Sequence, residues 1–111
     1  MKTDITSADS KATGIRAVLL LHSQHDSSVL DALLQRYHAT TVHTIHTDAP
    51  AVLSALIAVQ HALEHLADAV VIPHLQDLEP GTPWWVVTQA ADVITGTRRY
   101  PFGTTPERAA R

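Results

Sequence analysis

The feature that most constrains the fold is an alternation of short, fully apolar segments with longer amphipathic ones. Residues 15–21 and 69–72 are apolar almost throughout and have strand length, which is typical of parallel strands covered on both faces. Residues 40–46 are β-branched and alternating, which predicts a strand near a sheet edge. A fourth strand is predicted at 93–95.

Three helices are predicted between these strands. The first is capped by Asp26 or Ser27, and the third begins at Thr82 with Pro83 in its first turn. The second begins at the segment 47–50, where a capping oxygen precedes a proline, and runs to about Leu66. Its predicted buried stripe consists of Val52, Leu53, Leu56, Ile57, Leu63 and Leu66.

The order β-α-β-α-β-α-β predicts an α/β three-layer sandwich around a mostly parallel four-stranded sheet. The expected strand order is 2-1-3-4. We expect a single domain over residues 15–100, a flexible N-terminal arm over 1–14 and a C-terminal tail over 101–111.

Composition narrows the function classes. The chain has no cysteine, which excludes disulfides and thiolate chemistry. No apolar run is long enough for a membrane span, and the polar start predicts a cytoplasmic protein. Residues 17–97 contain one arginine against eight acidic residues, a net charge of −7, which disfavours nucleic acid as a partner. The sequence predicts no cofactor, because it has no glycine-rich phosphate loop.

Polar side chains follow the first and third predicted strands. In an open α/β sheet, ligands bind at the carboxyl ends of the strands where the strand order reverses. With the order 2-1-3-4 these two loops face each other, which makes them the predicted ligand-binding site. The candidate ligand-binding residues are His22, Ser23, His25, Asp26, His74 and Asp77.

Two further patterns lie on the predicted helices. His61 and His65 belong to an HxxEH pattern, in which two histidines one turn apart can chelate a metal. They point about 140° and 180° away from Leu56, so they are expected to face solvent and to form at most an adventitious metal-binding pair. Trp84 and Trp85 are adjacent on a predicted helix, about 100° apart. Either only one points fully into the core and the other lies at a boundary or interface, or both pack in the core, and both are interface candidates.

Three segments of the chain resemble the N-terminal catalytic domain of the serine recombinases, the resolvase and invertase family. They are residues 17–23, 47–56 and 67–78, and the similar region covers residues 16–100. Ser23 falls on the position of the family nucleophile, which attacks a DNA phosphate. The resemblance implies that arginines should stabilise the developing charge.

The cations that the resemblance implies are missing. Leu21 replaces the arginine two residues before Ser23, and Leu19 replaces the tyrosine before that. In the third segment Gln76 replaces an aspartate, while Asp77 and Pro80 replace arginines. Because phosphoryl transfer needs cationic stabilisation of the transition state, DNA cleavage by Ser23 is not expected.

Three functions therefore stand open. The first is a noncatalytic resolvase-like module that binds a protein partner or forms a homodimer. The second is a small enzyme or ligand-binding protein that uses the Ser/His/Asp residues at the ends of strands 1 and 3. The third is weak nucleic-acid binding through the terminal arginines Arg16, Arg98, Arg99, Arg108 and Arg111. The other basic residues, Lys2 and Lys11, also lie near an end of the chain.

Overall fold

A computed structural model describes residues 14–109, with side chains described as far as Glu107. The predicted N-terminal arm lies outside the described residues except for Gly14. The elements are β1 (Ile15–Leu21), α1 (Ser27–Arg36), β2 (Ala39–His46), α2 (Ala51–Glu64), β3 (Ala69–Ile72), a 3₁₀ helix (Pro83–Gln89), β4 (Asp92–Thr95), β5 (Arg99–Tyr100) and α3 (Pro106–Ala109).

The strands form one mostly parallel sheet in the order β2-β1-β3-β4-β5. The α/β class and the predicted order of the first four strands are confirmed. The sheet has five strands rather than four, because β5 pairs antiparallel with β4 through Tyr100 opposite Val93 and Arg99 opposite Ile94. A two-residue strand has no periodicity that a sequence pattern could reveal.

Helices cover both faces of the sheet, so that alternate strand residues enter two separate cores. One core packs Ala17, Leu19 and Leu21 of β1 against Leu33 of α1. The other packs the alternate residues of β1 against α2 and the 3₁₀ helix. This double cover explains why β1 and β3 are apolar at nearly every position.

The two long helices begin differently. Asp26 caps α1, since its Oδ1 accepts hydrogen bonds from the backbone amides of Ser28 at 2.8 Å and Val29 at 3.4 Å. The predicted cap of α2 is wrong, because Pro50 occupies the N-cap and no side chain bonds to the first turn. The Thr47 hydroxyl instead accepts from the amide of Ala49, within the turn that precedes the helix.

The predicted buried stripe of α2 is also wrong. Ser54, Ala55, Ala58 and Ala62 are at most 3% exposed and form the face that contacts the sheet. Small side chains let the helix approach the bulky β1 and β3 residues closely, because those residues fill the space between the layers. Five residues of the predicted stripe lie outside and are 51 to 78% exposed; they are Val52, Leu53, Leu56, Leu63 and Leu66. The sixth, Ile57, is partly buried and packs against the core.

Trp84 and Trp85 are both buried, which is the second of the two arrangements that the sequence left open. The 3₁₀ helix that carries them is covered from two sides. The Trp85 indole donates from Nε1 to the carbonyl of Glu79 at 2.8 Å and meets Tyr100 edge-on. Trp84 instead turns toward His74, with ring centroids 6.3 Å apart. Neither indole is left exposed for a partner.

The predicted C-terminal tail covers residues 101–111, and its described part is hydrogen-bonded to the rest of the domain. The Gly103 amide donates to the carbonyl of Thr88 at 2.7 Å, and the Thr88 hydroxyl donates to the carbonyl of Thr104 at 2.8 Å. None of the helices in the described part of the chain combines the length and the apolar character that a bilayer crossing requires.

Candidate functional site

His22 and His74 meet at the point where the strand order reverses. β1 and β3 are hydrogen-bonded neighbours, and each of the two histidines lies in the loop that follows one of them. Their ring centroids are 5.0 Å apart and the ring planes are tilted by 34°. The predicted convergence of these two loops is therefore confirmed. We call this edge of the sheet the rim.

A hydrogen bond within its own loop and a carboxylate from the loop after β2 hold the His22 ring. Its Nδ1 accepts from the backbone amide of Gln24 at 3.1 Å, which places the proton on Nε2. That Nε2 lies 3.4 Å from Oδ1 of Asp48. The same Oδ1 accepts from the backbone amide of Ser23 at 2.8 Å. Asp48 thus ties the loop after β2 to the loop after β1.

Sequence reasoning missed Asp48 as a rim residue. It was read only as part of a helix start, because it precedes Pro50. A signal was present nevertheless, since β2 is also a neighbour of β1 and its carboxyl end opens at the same edge of the sheet.

The pKa values of Asp48 and His74 are both lowered at the rim, but for different reasons. Hydrogen bonds from the Ser23 backbone amide and then the Ser23 hydroxyl lower the pKa of Asp48, which stays ionised. Burial lowers the pKa of His74, and the charges that His22 and His25 can carry lower it further against the opposing effect of Asp48. Nδ1 of His74 is buried and has no hydrogen-bond partner among the described residues.

Two hollows adjoin at the His22 and His74 rings, one on each face of the sheet. The α2-side hollow has a volume of about 280 Å³ and a mostly apolar lining. Besides the two histidines, its lining residues are Leu20, Thr47, Ala49, Ala51, Ser54, Leu75 and Trp84. The α1-side hollow, of about 590 Å³, is more polar, with Gln24, Asp26, Val29, Pro73, Gln76 and Gly96 around the same two histidines.

Gly96 shapes the α1-side hollow by letting the loop after β4 approach the loop after β3. Its amide donates to the carbonyl of Leu75 at 2.8 Å. A Cβ at this position would lie 3.0 Å from the carbonyl oxygen of Pro73. Any other residue would therefore push the two loops apart.

The remaining predicted rim residues have other surroundings. His25 contacts the carbonyl oxygen of His22 through Nδ1 at 2.9 Å. Asp26 is the N-cap of α1 and also lines the α1-side hollow. Asp77 lies apart, where it accepts from the Tyr100 hydroxyl at 3.3 Å and faces Arg98 at 3.9 Å.

Ser23 is exposed and lines neither hollow. Its amide and hydroxyl bond to the Asp48 carboxylate, so the residue at the recombinase nucleophile position faces an anion. An adjacent anion opposes the negative charge that develops during phosphoryl transfer. The geometry of the rim suits the binding of a ligand by hydrogen bonds and apolar contact.

A second group of histidines lies on the α2 face of the sheet. His61 and His65 were expected to face solvent, and this is wrong, because both are partly buried and stack with His43 of β2. Helical spacing places His61 and His65 on the flank of the Ala58 face rather than the Leu56 face. We call His43, His61 and His65 the three-histidine cluster. Sequence reasoning had no means of adding His43, which comes from another element.

The terminal arginines whose side chains are described are each engaged within the domain. Arg16 donates to the backbone carbonyl of His65 at 2.7 Å, and Arg99 forms an ion pair with Asp92. The Arg98 guanidinium lies 4.7 Å from the centroid of the Tyr100 ring. The side chains of Lys2, Lys11, Arg108 and Arg111 lie outside the described residues.

Comparisons with known proteins found no relative of this chain. No family model, no curated protein and no solved structure matches the chain. The resemblance to the serine recombinases stays a prediction.

Proposed function

We propose that this domain is a noncatalytic binding module whose ligand is a small, uncharged organic molecule held at the rim. The observation that carries the proposal is the meeting of His22 and His74 over the α2-side hollow. Ligand sites in α/β sheets form at this position, and they combine an apolar lining with a few convergent polar groups.

The apolar part of the ligand belongs in the α2-side hollow. Leu20, Leu75 and Trp84 line it, and its volume of about 280 Å³ suits a single ring system. Trp84, which is 7% exposed, contributes apolar contact to this hollow rather than an open face for stacking.

The polar part of the ligand belongs at His74. A lowered pKa keeps this imidazole neutral, so it can donate from one nitrogen and accept at the other. Among the described residues no Lys or Arg lines either hollow, whereas Asp26 lines one of them and Asp48 stands beside His22. These carboxylates would repel an anionic ligand, whereas they would not repel an uncharged hydrogen-bonding group.

The test is a titration of the full chain with benzamide and, separately, with its anionic counterpart benzoate. The two indole N–H signals in the proton NMR spectrum provide an internal control, because Trp84 lines the hollow and Trp85 bonds to Glu79. We expect benzamide to shift the Trp84 signal saturably and more strongly than benzoate does, and to leave the Trp85 signal in place.

The variant His74→Ala should abolish that shift, while His46→Ala, an exposed histidine at the end of β2, should retain it. Ser23→Ala should also retain it, because Ser23 lines neither hollow. Equal movement of both indole signals, or an unchanged titration in His74→Ala, would contradict the proposal.

A second candidate function, self-association, is favoured by the exposed apolar face of α2. Leu53, Leu56 and Leu63 are exposed and lie at spacings of three and seven residues. With Gln60 between them, they follow the heptad spacing by which two helices pack against each other. The only carboxylate on α2 is Glu64, so two copies of the helix would meet with little charge repulsion. We propose a second copy of this chain as the occupant of this face, related by a two-fold axis.

Sedimentation velocity over a range of protein concentrations tests this candidate. We expect a monomer–dimer equilibrium that Leu56→Ser shifts toward monomer by at least about tenfold in the dissociation constant. Phe102→Ser is the matched control, since Phe102 is equally exposed but lies far along the chain from α2. A protein that stays monomeric at millimolar concentration would rule out the dimer and leave the rim proposal intact.

A further inference from the structure

The three-histidine cluster brings together ring nitrogens from two elements. His61 and His65 lie one turn apart on α2, and His43 lies on the edge strand β2. The ring centroids form a triangle with sides of 4.5, 4.6 and 6.0 Å, and each pair of ring planes is within 15° of parallel. One nitrogen from each ring can be chosen so that all three lie within 4.8 Å of one another.

The backbone that carries these rings is held in place by packing. Ala58 and Ala62 press α2 against the sheet close to His61 and to His65, the C-cap of the helix. At the end of the helix, the Arg16 guanidinium donates to the carbonyl oxygens of His65 and Leu66, at 2.7 and 3.3 Å. His43 is fixed by its pairing with Val18 in the parallel ladder. Only side-chain rotations separate the three nitrogens from a common centre.

The cluster also contains an unsatisfied polar group. Nδ1 of His61 is buried and has no hydrogen-bond partner among the described residues, and the nearest carboxylate oxygen, Oε1 of Glu64, is 3.6 Å away. Buried polar atoms are nearly always paired, so this one calls for an explanation. A small movement of Glu64 would let its carboxylate accept a hydrogen bond from the Nδ1–H group, which leaves Nε2 of His61 free to coordinate.

We propose that His43, His61 and His65 bind a divalent transition-metal ion, with Zn²⁺ as the expected occupant. Three imidazoles are the donor set that suits Zn²⁺, Cu²⁺ and Ni²⁺, whereas Mg²⁺ and Ca²⁺ select oxygen ligands. Zinc–nitrogen bonds are about 2.0–2.1 Å long, so the nitrogens must draw in to about 3.4 Å from one another. Three protein ligands leave the fourth position of a tetrahedral ion open to solvent or to a ligand.

This assignment differs from an adventitious pair on a helix in one testable respect, the role of His43. If His61 and His65 bound metal alone, the strand residue would make no difference to affinity. If all three coordinate, loss of any one should weaken binding by at least about tenfold, since even partners outside the coordination sphere contribute on that scale.

The experiment is a calorimetric titration of the untagged full chain with ZnCl₂, with MgCl₂ as the control ion. We expect one Zn²⁺ per chain, no binding of Mg²⁺, and a thermal midpoint that rises with Zn²⁺ and falls back when a chelator is added. His43→Ala, His61→Ala and His65→Ala should each weaken binding at least tenfold, while His46→Ala, a histidine of the same strand outside the cluster, should bind as the unchanged protein does.

Circular dichroism of each variant checks that it is folded, and a visible Co²⁺ spectrum of the unchanged protein reports the coordination geometry independently of any variant. Two results would overturn the proposal. One is unchanged Zn²⁺ affinity in His43→Ala. The other is a Co²⁺ spectrum of the octahedral aqueous type in the unchanged protein.

Discussion

Two groups of histidines lie near the two ends of α2, and their surroundings differ. Near its N-terminal end, His22 and His74 belong to loops. The His22 ring accepts a hydrogen bond from Gln24 and lies beside Asp48, and the His74 ring meets Trp84 edge-on. Toward its C-terminal end, His61, His65 and the strand residue His43 belong to regular elements and stack on one another. The rim therefore depends on loop geometry, whereas the three-histidine cluster depends on how closely the helix packs against the sheet.

The largest expected effect comes from forcing α2 away from the sheet. Ala58 is fully buried, and Ala58→Leu should lower the free energy of unfolding by about 1–3 kcal/mol through overpacking. Because Ala58 lies within a turn of His61, the cluster should be disturbed more than the rim. Urea unfolding and the histidine side-chain NMR signals measure both effects.

The matched control is Leu56→Ala on the opposite face, measured at a protein concentration low enough to keep the chain monomeric. It should change stability by no more than about 0.5 kcal/mol. A larger loss in Leu56→Ala than in Ala58→Leu would show that the wrong face of α2 had been assigned to the core.

The sequence predicted the sheet but not the buried face of α2. The apolar runs of β1 and β3 predicted the parallel sheet and its switch point, and with them the meeting of His22 and His74. The face of α2 could not be chosen by hydrophobicity, because its alanines repeat with the same helical period as its leucines. Choosing the leucine face turned His61 and His65 toward solvent, and no pattern in the sequence indicated that His43 of β2 lies beside them.

The next effect concerns the rim, where Asp26 has two roles. Asp26→Ala removes the N-cap of α1 and should cost about 1 kcal/mol, measured by urea unfolding. Asp26→Asn keeps a capping oxygen and should recover most of this loss. If the two variants were equally destabilised, the charge of Asp26 rather than its cap would be what stabilises the rim.

A smaller gain in stability is expected at the cluster end of α2. Leu66 has a φ of 50°, a left-handed conformation that glycine adopts without strain, and its side chain is 78% exposed. Leu66→Gly should therefore raise the free energy of unfolding by up to about 1 kcal/mol. Leu63→Gly, inside the helix, should instead lower it by about the same amount.

The smallest effect concerns the pH dependence of stability at the rim. Burial lowers the pKa of His74 in the folded protein, so below about pH 6.5 the unfolded chain takes up that proton first and stability falls until folded His74 is also protonated. The groups that act on His74 are His22, His25 and Asp48. His74→Gln should flatten this part of the curve of unfolding free energy against pH.

Asp26 and Asp48 act in a different range. Hydrogen bonds lower both pKa values, so the stability they contribute is present above the unfolded value of about 4 and is lost as the pH falls below it. The slope near pH 6 and the slope near pH 3 can thus be measured separately. A His74→Gln curve identical to that of the unchanged protein near pH 6 would contradict the burial of this imidazole.

The position of β2 at the edge of the sheet has a consequence for solubility. Among residues 14–109 no strand lies beside its outer backbone groups, and its sequence, ATTVHTIH, carries no Asp, Glu, Lys or Arg. Proteins usually protect such an edge with lysine, proline or a bulge against pairing with another chain. β2 has one of these devices, because its register with β1 shifts at Val42, which has no partner in β1. This irregularity lies in the middle of the strand, so it interrupts the regular edge that another chain would need for pairing along the whole of β2.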